Sequence, residues 1–179
     1  MKNLLLTAAI LSTIISCSSS KQMGAGKAKY TVIADDNEKV LKGYINRSVL
    51  ESDTAFKWFD ENMKYGVANP VAVEAFRKHA ADFNMVVFGG TWCHDTQAML
   101  PVFYRLVQKS GYPESKITLV AVDRSKIGPD DLHKTYNITN VPTFIVMRDG
   151  VEVGRVVEYG KEGNIDKELG EIVMKEFDR

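Results

Sequence analysis

From Met85 onward, short apolar runs alternate with amphipathic stretches. Met85-Val86-Val87-Phe88 is an apolar run of strand length, and a helical pattern follows from Cys93 to about Lys109. Ile117–Val122 is rich in β-branched residues and predicts a second strand. Pro129 to about Tyr136 predicts a short helix. Thr143–Met147 and Val151–Val157 flank Arg148-Asp149-Gly150, where Asp-Gly signals a hairpin. Ile165 to about Phe177 sets Leu169, Ile172, Val173 and Phe177 on one helical face. Strand–helix–strand with a crossover implies parallel pairing, and the hairpin adds an antiparallel edge. The pattern predicts an α/β fold with a mixed central sheet flanked by helices.

Residues 30–84 read as an N-terminal extension packed on this core of residues 85–179. Tyr30–Ala34 and Lys39–Ile45 are short strand-like segments separated by the polar turn Asp35-Asp36-Asn37. Ser48 with Glu51 three residues later has capping-box spacing and predicts a helix to about Tyr65. Residues 66–69 break it, and Pro70 suits the first turn of a second helix ending near Phe83. Phe56, Trp58, Phe59 and Met63 are read as core or docking side chains. There is no internal repeat.

The first 29 residues stand outside the fold. Lys2 supplies a positive start, and Leu4–Ile15 is apolar but short for a bilayer span. Ile14-Ile15-Ser16-Cys17 resembles a bacterial lipobox, which makes residues 1–16 a signal peptide and Cys17 a lipidation site. Several acyl chains would anchor the protein stably. The alternative is an ordinary secretory peptide with an incidental cysteine. Residues 17–29 are polar and Gly-containing and read as a flexible tether. By resemblance to lipoprotein sorting rules, Ser18 rather than Asp after the cysteine favours the outer membrane. With no acidic cluster following it, the domain is expected to face the periplasm.

Charge and cysteine content narrow the function. Lys plus Arg and Asp plus Glu both number 23, so nothing argues for a nucleic-acid partner. The only cysteines are Cys17 and Cys93; with Cys17 lipidated, Cys93 is a lone exported thiol without an internal partner. It sits in Trp92-Cys93-His94-Asp95-Thr96, between a strand and a helix. Unpaired N–H groups and the helix dipole favour a thiolate there. A protonated His94 adds to this effect, and Asp95 opposes it.

These features together resemble the thioredoxin family over roughly Met85 to Phe177. Trp92-Cys93 opens a helix at a strand end. Pro101 follows Cys93 by eight residues, where the family has a helix-kinking proline. Val141-Pro142-Thr143 matches the loop with a cis-proline opposite the cysteine, and Arg148-Asp149-Gly150 matches the last hairpin turn. The layout looks closest to thioredoxin-like lipoproteins of Bacteroidetes-type bacteria. The resemblance implies that Cys93 is the nucleophile beside Trp92, with Val141 and Pro142 forming a substrate groove. Three positions depart from the family. Thr96 stands in place of the resolving cysteine, Val87 in place of a buried aspartate, and Leu119 in place of the lysine accompanying it. The Thr96 hydroxyl is expected to donate to the Cys93 sulfur. By the same resemblance His94, Asp95, Asp123, Arg124 and Glu158 ring Cys93, Glu158 at a position where the family has glycine; the alternative is a solvated rim whose ion pairs are individually worth little.

Two functions fit. One is a monothiol thiol-disulfide oxidoreductase that forms mixed disulfides through Cys93 with exported proteins, or with a low-molecular-weight thiol. The other is a redox-inactive peptide-binding module that kept the groove. No cofactor is implied. Metal capture by Cys93, His94 and Asp95 lacks further ligands, and His79 and His133 have no motif linking them to the site. A Cys–His hydrolase lacks the required base geometry. Asp53-Thr54-Ala55 resembles an O-glycosylation signal of the same bacterial group, with helix capping or solvation as the simpler role. Residues 48–83 are either an interaction surface or packing that enlarges the core.

Overall fold

The computed structural model describes residues 28–35 and 38–178. The expected signal peptide, Cys17, most of the expected tether and the tip of the first turn, Asp36-Asn37, lie outside the described residues. Among the described residues six strands form one sheet in the order β1-β2-β4-β3-β5-β6. They are β1 (Lys29–Asp35), β2 (Glu38–Ile45), β3 (Asn84–Gly89), β4 (Ile117–Ala121), β5 (Thr143–Arg148) and β6 (Val151–Val157). Only β3 and β4 pair in parallel; all other neighbours are antiparallel. The expected mixed α/β thioredoxin-like sheet is therefore present.

Strand periodicity gives the sheet two buried faces. Met85 and Val87 of β3 join Ile117, Leu119 and Phe144 on one side, in a large core that also takes residues from most of the helices. Val86 and Phe88 point the other way, to Val120, Ile145, Leu132 and Val141 in a smaller cluster against which Trp92 and Cys93 pack. The helices are α1 (Arg47–Glu51), α2 (Trp58–Met63), α3 (Pro70–Lys78), α4 (His94–Ser110), α5 (Leu132–Thr135) and α6 (Ile165–Phe177). Asp149 and Gly150 both have left-handed φ, as the Asp-Gly hairpin turn requires.

The helix expected from Ser48 to Tyr65 is broken into three pieces. Asn46, not Ser48, caps α1 by accepting the Val49 amide at 3.2 Å. Glu51 pairs with Arg47 at 2.6 Å rather than closing a capping box. Asp53 then accepts from the Ala55 amide and starts a 3-10 turn, Thr54–Phe56, which is the capping role anticipated for that tripeptide. The second helix stops at Lys78 rather than near Phe83. Beyond it the buried His79 faces Asp82 at 3.0 Å and Asp178 at 2.8 Å, and Asp82 donates its amide to the His79 carbonyl.

The extension repairs a defect in α4. Pro101 lies inside that helix and has no N–H for the Gln97 carbonyl. Asn62 of α2 donates its side-chain amide to that carbonyl at 3.0 Å, and the Asn62 carbonyl accepts Arg105 at 2.7 Å. Phe56 and Phe59 are buried in the large core, with Trp58 and Met63 packed against it. β2 meanwhile pairs with β4. The extension thus adds both core and sheet.

Candidate active site at the head of helix α4

The site begins where β3 ends. Gly89-Gly90-Thr91 turns the chain, and the Cys93 amide donates to the Gly90 carbonyl at 2.9 Å. A side chain at Gly90 would meet the Trp92 indole at 2.7 Å, so glycine makes room for the ring. Cys93 has extended backbone and is the N-cap of α4, with its carbonyl accepting the Gln97 amide at 3.0 Å. This leaves the thiol at the positive end of a 17-residue helix. Thr91 ties the turn to β2: its hydroxyl accepts the Leu41 amide at 3.1 Å and donates to the Lys39 carbonyl at 3.2 Å.

Cys93 is half-buried, and its Sγ–H donates to the Val141 carbonyl at 3.3 Å. The Val141–Pro142 bond is cis. Thr143 hydroxyl donates to the Asn140 carbonyl at 2.7 Å, and Pro142 accepts the Glu158 amide at 2.7 Å, which pins the loop to the end of β6. Glu158 has φ +53°, a left-handed conformation that glycine enters freely and other residues enter at a cost. Its carboxylate accepts from Asn140 at 2.8 Å.

Thr96 lies one turn into α4 and is buried, 2% exposed. Its hydroxyl accepts the Gly90 amide at 3.1 Å, and among the described residues it makes no hydrogen bond to the Cys93 sulfur. The expected Thr96–Cys93 bond is therefore replaced by one that fastens the turn. Val87 and Leu119 are directly paired across β3 and β4, both essentially fully buried. An apolar pair there avoids the cost of burying charge.

The rim divides. Asp95 accepts the Tyr159 hydroxyl at 2.9 Å. That hydrogen bond, burial, and the nearby charges of Asp95, Cys93 and Glu158 all raise the Tyr159 pKa, so these groups share one surface. Asp123 is turned elsewhere: it accepts Lys42 at 2.7 Å and the Ser125 and Ile127 amides at 3.0 Å. Burial pushes its carboxyl up, but those donors outweigh it and hold it below the ordinary value. Arg124 lies over the Trp92 ring at 5.5 Å and pairs with Asp35 and with Glu38, the latter at 2.6 Å. Trp92 is also held by its indole N–H, which donates to the Val122 carbonyl at 3.0 Å. His94 is exposed. His133 accepts the Gly128 amide at 3.4 Å, and His79 belongs to the α3–α6 contact.

Sequence reasoning missed Tyr159, Asn140 and the role of Arg124 against Trp92. The only sequence signal for Tyr159 was its place next to Glu158. Asn140 precedes Val141 by one residue and was equally within reach.

Similarity to known proteins agrees with this geometry. The family profile "Thioredoxin" matches residues 67–171, more than half of the chain. A TPR repeat-containing thioredoxin of Arabidopsis thaliana is 31% identical over 94 residues, 52% of this chain and 23% of that protein. An H-type thioredoxin of Oryza sativa is 29% identical over 85 residues, covering 48% of this chain and 65% of that protein. The chain thus spans less than two thirds of the length of these curated relatives. Among solved structures, an HIV epitope-scaffold superposes with a TM-score of 0.52 at 16% identity, over 74% of this chain and 93% of that one, a likeness of fold alone. On the profile match and the shared fold, this chain belongs to the thioredoxin family.

Proposed function

We propose that the protein is a membrane-anchored, monothiol thiol-disulfide oxidoreductase of the bacterial envelope. The observation that carries this reading is the placement of Cys93. Its sulfur sits half-buried at the N-cap of α4, 3.3 Å from the Val141 carbonyl and beside cis-Pro142, with the only other cysteine at position 17. An extended substrate segment running past Val141 would bring a sulfur to Cys93 by adding a short strand.

The Cys93 thiolate attacks one sulfur of a substrate disulfide. A Cys93–substrate disulfide forms, the substrate's S–S bond breaks, and the second substrate sulfur leaves as a thiolate. With a substrate sulfenic acid the same bond forms, the S–O bond breaks, and hydroxide leaves, taking a proton from solvent to become water. Release takes a second thiolate, from the substrate or from a low-molecular-weight thiol. It attacks the mixed disulfide and returns Cys93 as the leaving group. Thr96 has no sulfur to do this from within.

Cys93→Ser should abolish covalent capture of exported proteins by the full chain in its native envelope. Persistence of the adducts in that variant would refute the reading. The second reading, a redox-inactive binding module, draws support from the apolar Val87–Leu119 pair. It wins if Cys93 reacts with a model disulfide no faster than a free cysteine. For the anchor, acylation of Cys17 and an outer-membrane position facing the periplasm are expected. Mass spectrometry of the mature N-terminus and membrane fractionation test them, and an unmodified Cys17 would overturn the anchor without touching the thiol chemistry.

A further inference from the structure

The two edges of the sheet are not equally protected. On β6 the ladder is interrupted by a register shift at Val146/Met147, and Glu152 and Arg155 form an ion pair along the strand. Such irregularities and charges discourage another strand from adding. β1 has neither. Its seven residues, Lys29–Asp35, pair with β2 in unbroken register and contain no proline. Its middle is apolar and open, with Tyr30 39%, Val32 51% and Ile33 38% exposed. The charges are confined to its ends, positive at Lys29 and negative at Asp35.

That charge order makes the strand complementary to itself. Let a second β1 lie antiparallel about a two-fold axis through Val32. Lys29 then faces Asp35 of the second copy, twice. Tyr30 faces Ala34, Thr31 faces Ile33, and Val32 faces Val32. Side chains that face each other lie on the same side of the sheet. No like charges meet. A slip of two residues in either direction opens both ion pairs. Asp35 already receives Arg124 on one carboxylate oxygen, and a carboxylate has a second to offer.

We infer that the β1 edge docks a second copy of this chain in this register, joining two six-stranded sheets into one. One strand pair with two exposed ion pairs makes a small, reversible, salt-sensitive interface. Confinement of anchored chains to one membrane surface would favour it.

Two measurements on the purified full chain test this, both in a Cys93→Ser background, with that parent controlling for Cys17. Val32→Cys should cross-link to itself at least about tenfold more than Thr31→Cys does. Thr31→Cys mixed with Ile33→Cys should cross-link where each alone does not. Separately, Lys29→Asp and Asp35→Lys should each weaken self-association. Mixing these two chains should restore it as a heterodimer favoured by about tenfold, since every pair is again opposite in sign. Cross-linking at Val32 no stronger than at Val67, which is 90% exposed, would overturn the inference. So would a charge-swapped mixture showing no preference for the heterodimer. A Val32→Cys chain that stays monomeric would overturn it too, leaving the edge to the chain's own N-terminal segment or to a different protein.

Discussion

The two faces of the sheet beneath Cys93 are built for different purposes. On the smaller side, Trp92 and Cys93 pack against Val86, Phe88, Val120, Val122 and Val141, and remain partly open to solvent. Here the polar contacts converge on backbone: Cys93 on the Val141 carbonyl, Trp92 on the Val122 carbonyl. On the larger side, Val87 and Leu119 belong to a closed apolar core continuous with Phe103, Phe144 and Tyr104. Thr96, in the first turn of α4, is spent on the Gly90 amide. The difference teaches that Thr96 and the closed face form one consistent arrangement. The Thr96 hydroxyl supports the turn after β3, and β3 and β4 carry hydrocarbon at Val87 and Leu119.

The largest way to break this comparison is to put charge into the closed face. Val87→Asp would bury a carboxylate opposite Leu119, without a hydrogen-bond donor or cation. Burial of an unpaired ionisable group should cost about 3 kcal/mol or more. Denaturant unfolding measures it, and a loss below about 1 kcal/mol would mean that this face is far less closed than its packing indicates.

Thr96→Cys sharpens the comparison from the turn. Residues three apart on a helix bring their Cβ atoms to about 5–6 Å. The new thiol should therefore attack Cys93 mixed disulfides from within and shorten their lifetime at least about tenfold. The Gly90 amide loses a good acceptor, so stability should fall by about 1–2 kcal/mol. Adduct lifetimes in the wild-type and Thr96→Cys chains, chased without added thiol, check this; equal lifetimes would refute it.

How much of this was legible follows from how local each signal is. From β3 to α6 the elements announce themselves, because apolar period and the Asp149-Gly150 turn are read within a few residues. Cys93, Pro101 and Pro142 were legible as a motif spread along the chain. The Ser48 helix misled because its capping spacing was satisfied on paper, while Asn46 two residues earlier took the amide and Asp53 began a new turn. The Asn62 contact with Gln97 and the Tyr159 contact with Asp95 join residues 35 and 64 apart. No periodicity connects such pairs, so they emerge only from the fold. The charges expected around Cys93 divide for the same reason: Asp95 and Glu158 lie by Tyr159, while Asp123 is absorbed by Lys42 and its own loop.

A smaller effect separates the open face from the hairpin beside it. Arg124 joins Trp92 to Asp35 and Glu38, so Arg124→Ala removes a cation–π contact and two exposed ion pairs. Their loss should lower stability slightly at low salt and less at high salt. Trp92 emission, read in a Trp58→Phe background, should shift on the same substitution. Unchanged emission would show that the indole is fixed by Val122 and the Gly90 gap alone.

The smallest expected effect concerns the tether between Tyr159 and Asp95, and its readout is spectroscopic. The Asp95 hydrogen bond is the main reason the Tyr159 phenol is raised above its ordinary value; neighbouring negative charge adds to it. A raised acid favours the folded state through its protonated form. Its contribution is thus complete below about pH 10 and is lost as pH rises through the folded-state value. Tyr159 is 44% exposed, so Tyr159→Phe should change stability at neutral pH by less than about 0.5 kcal/mol. The tyrosinate absorbance of wild type minus that of Tyr159→Phe should titrate above pH 10, and Asp95→Asn should bring that difference curve back down. A difference curve at the ordinary value in wild type would mean that the loop after β6 is not held against α4, and that the open face owes its shape to the cis-proline loop alone.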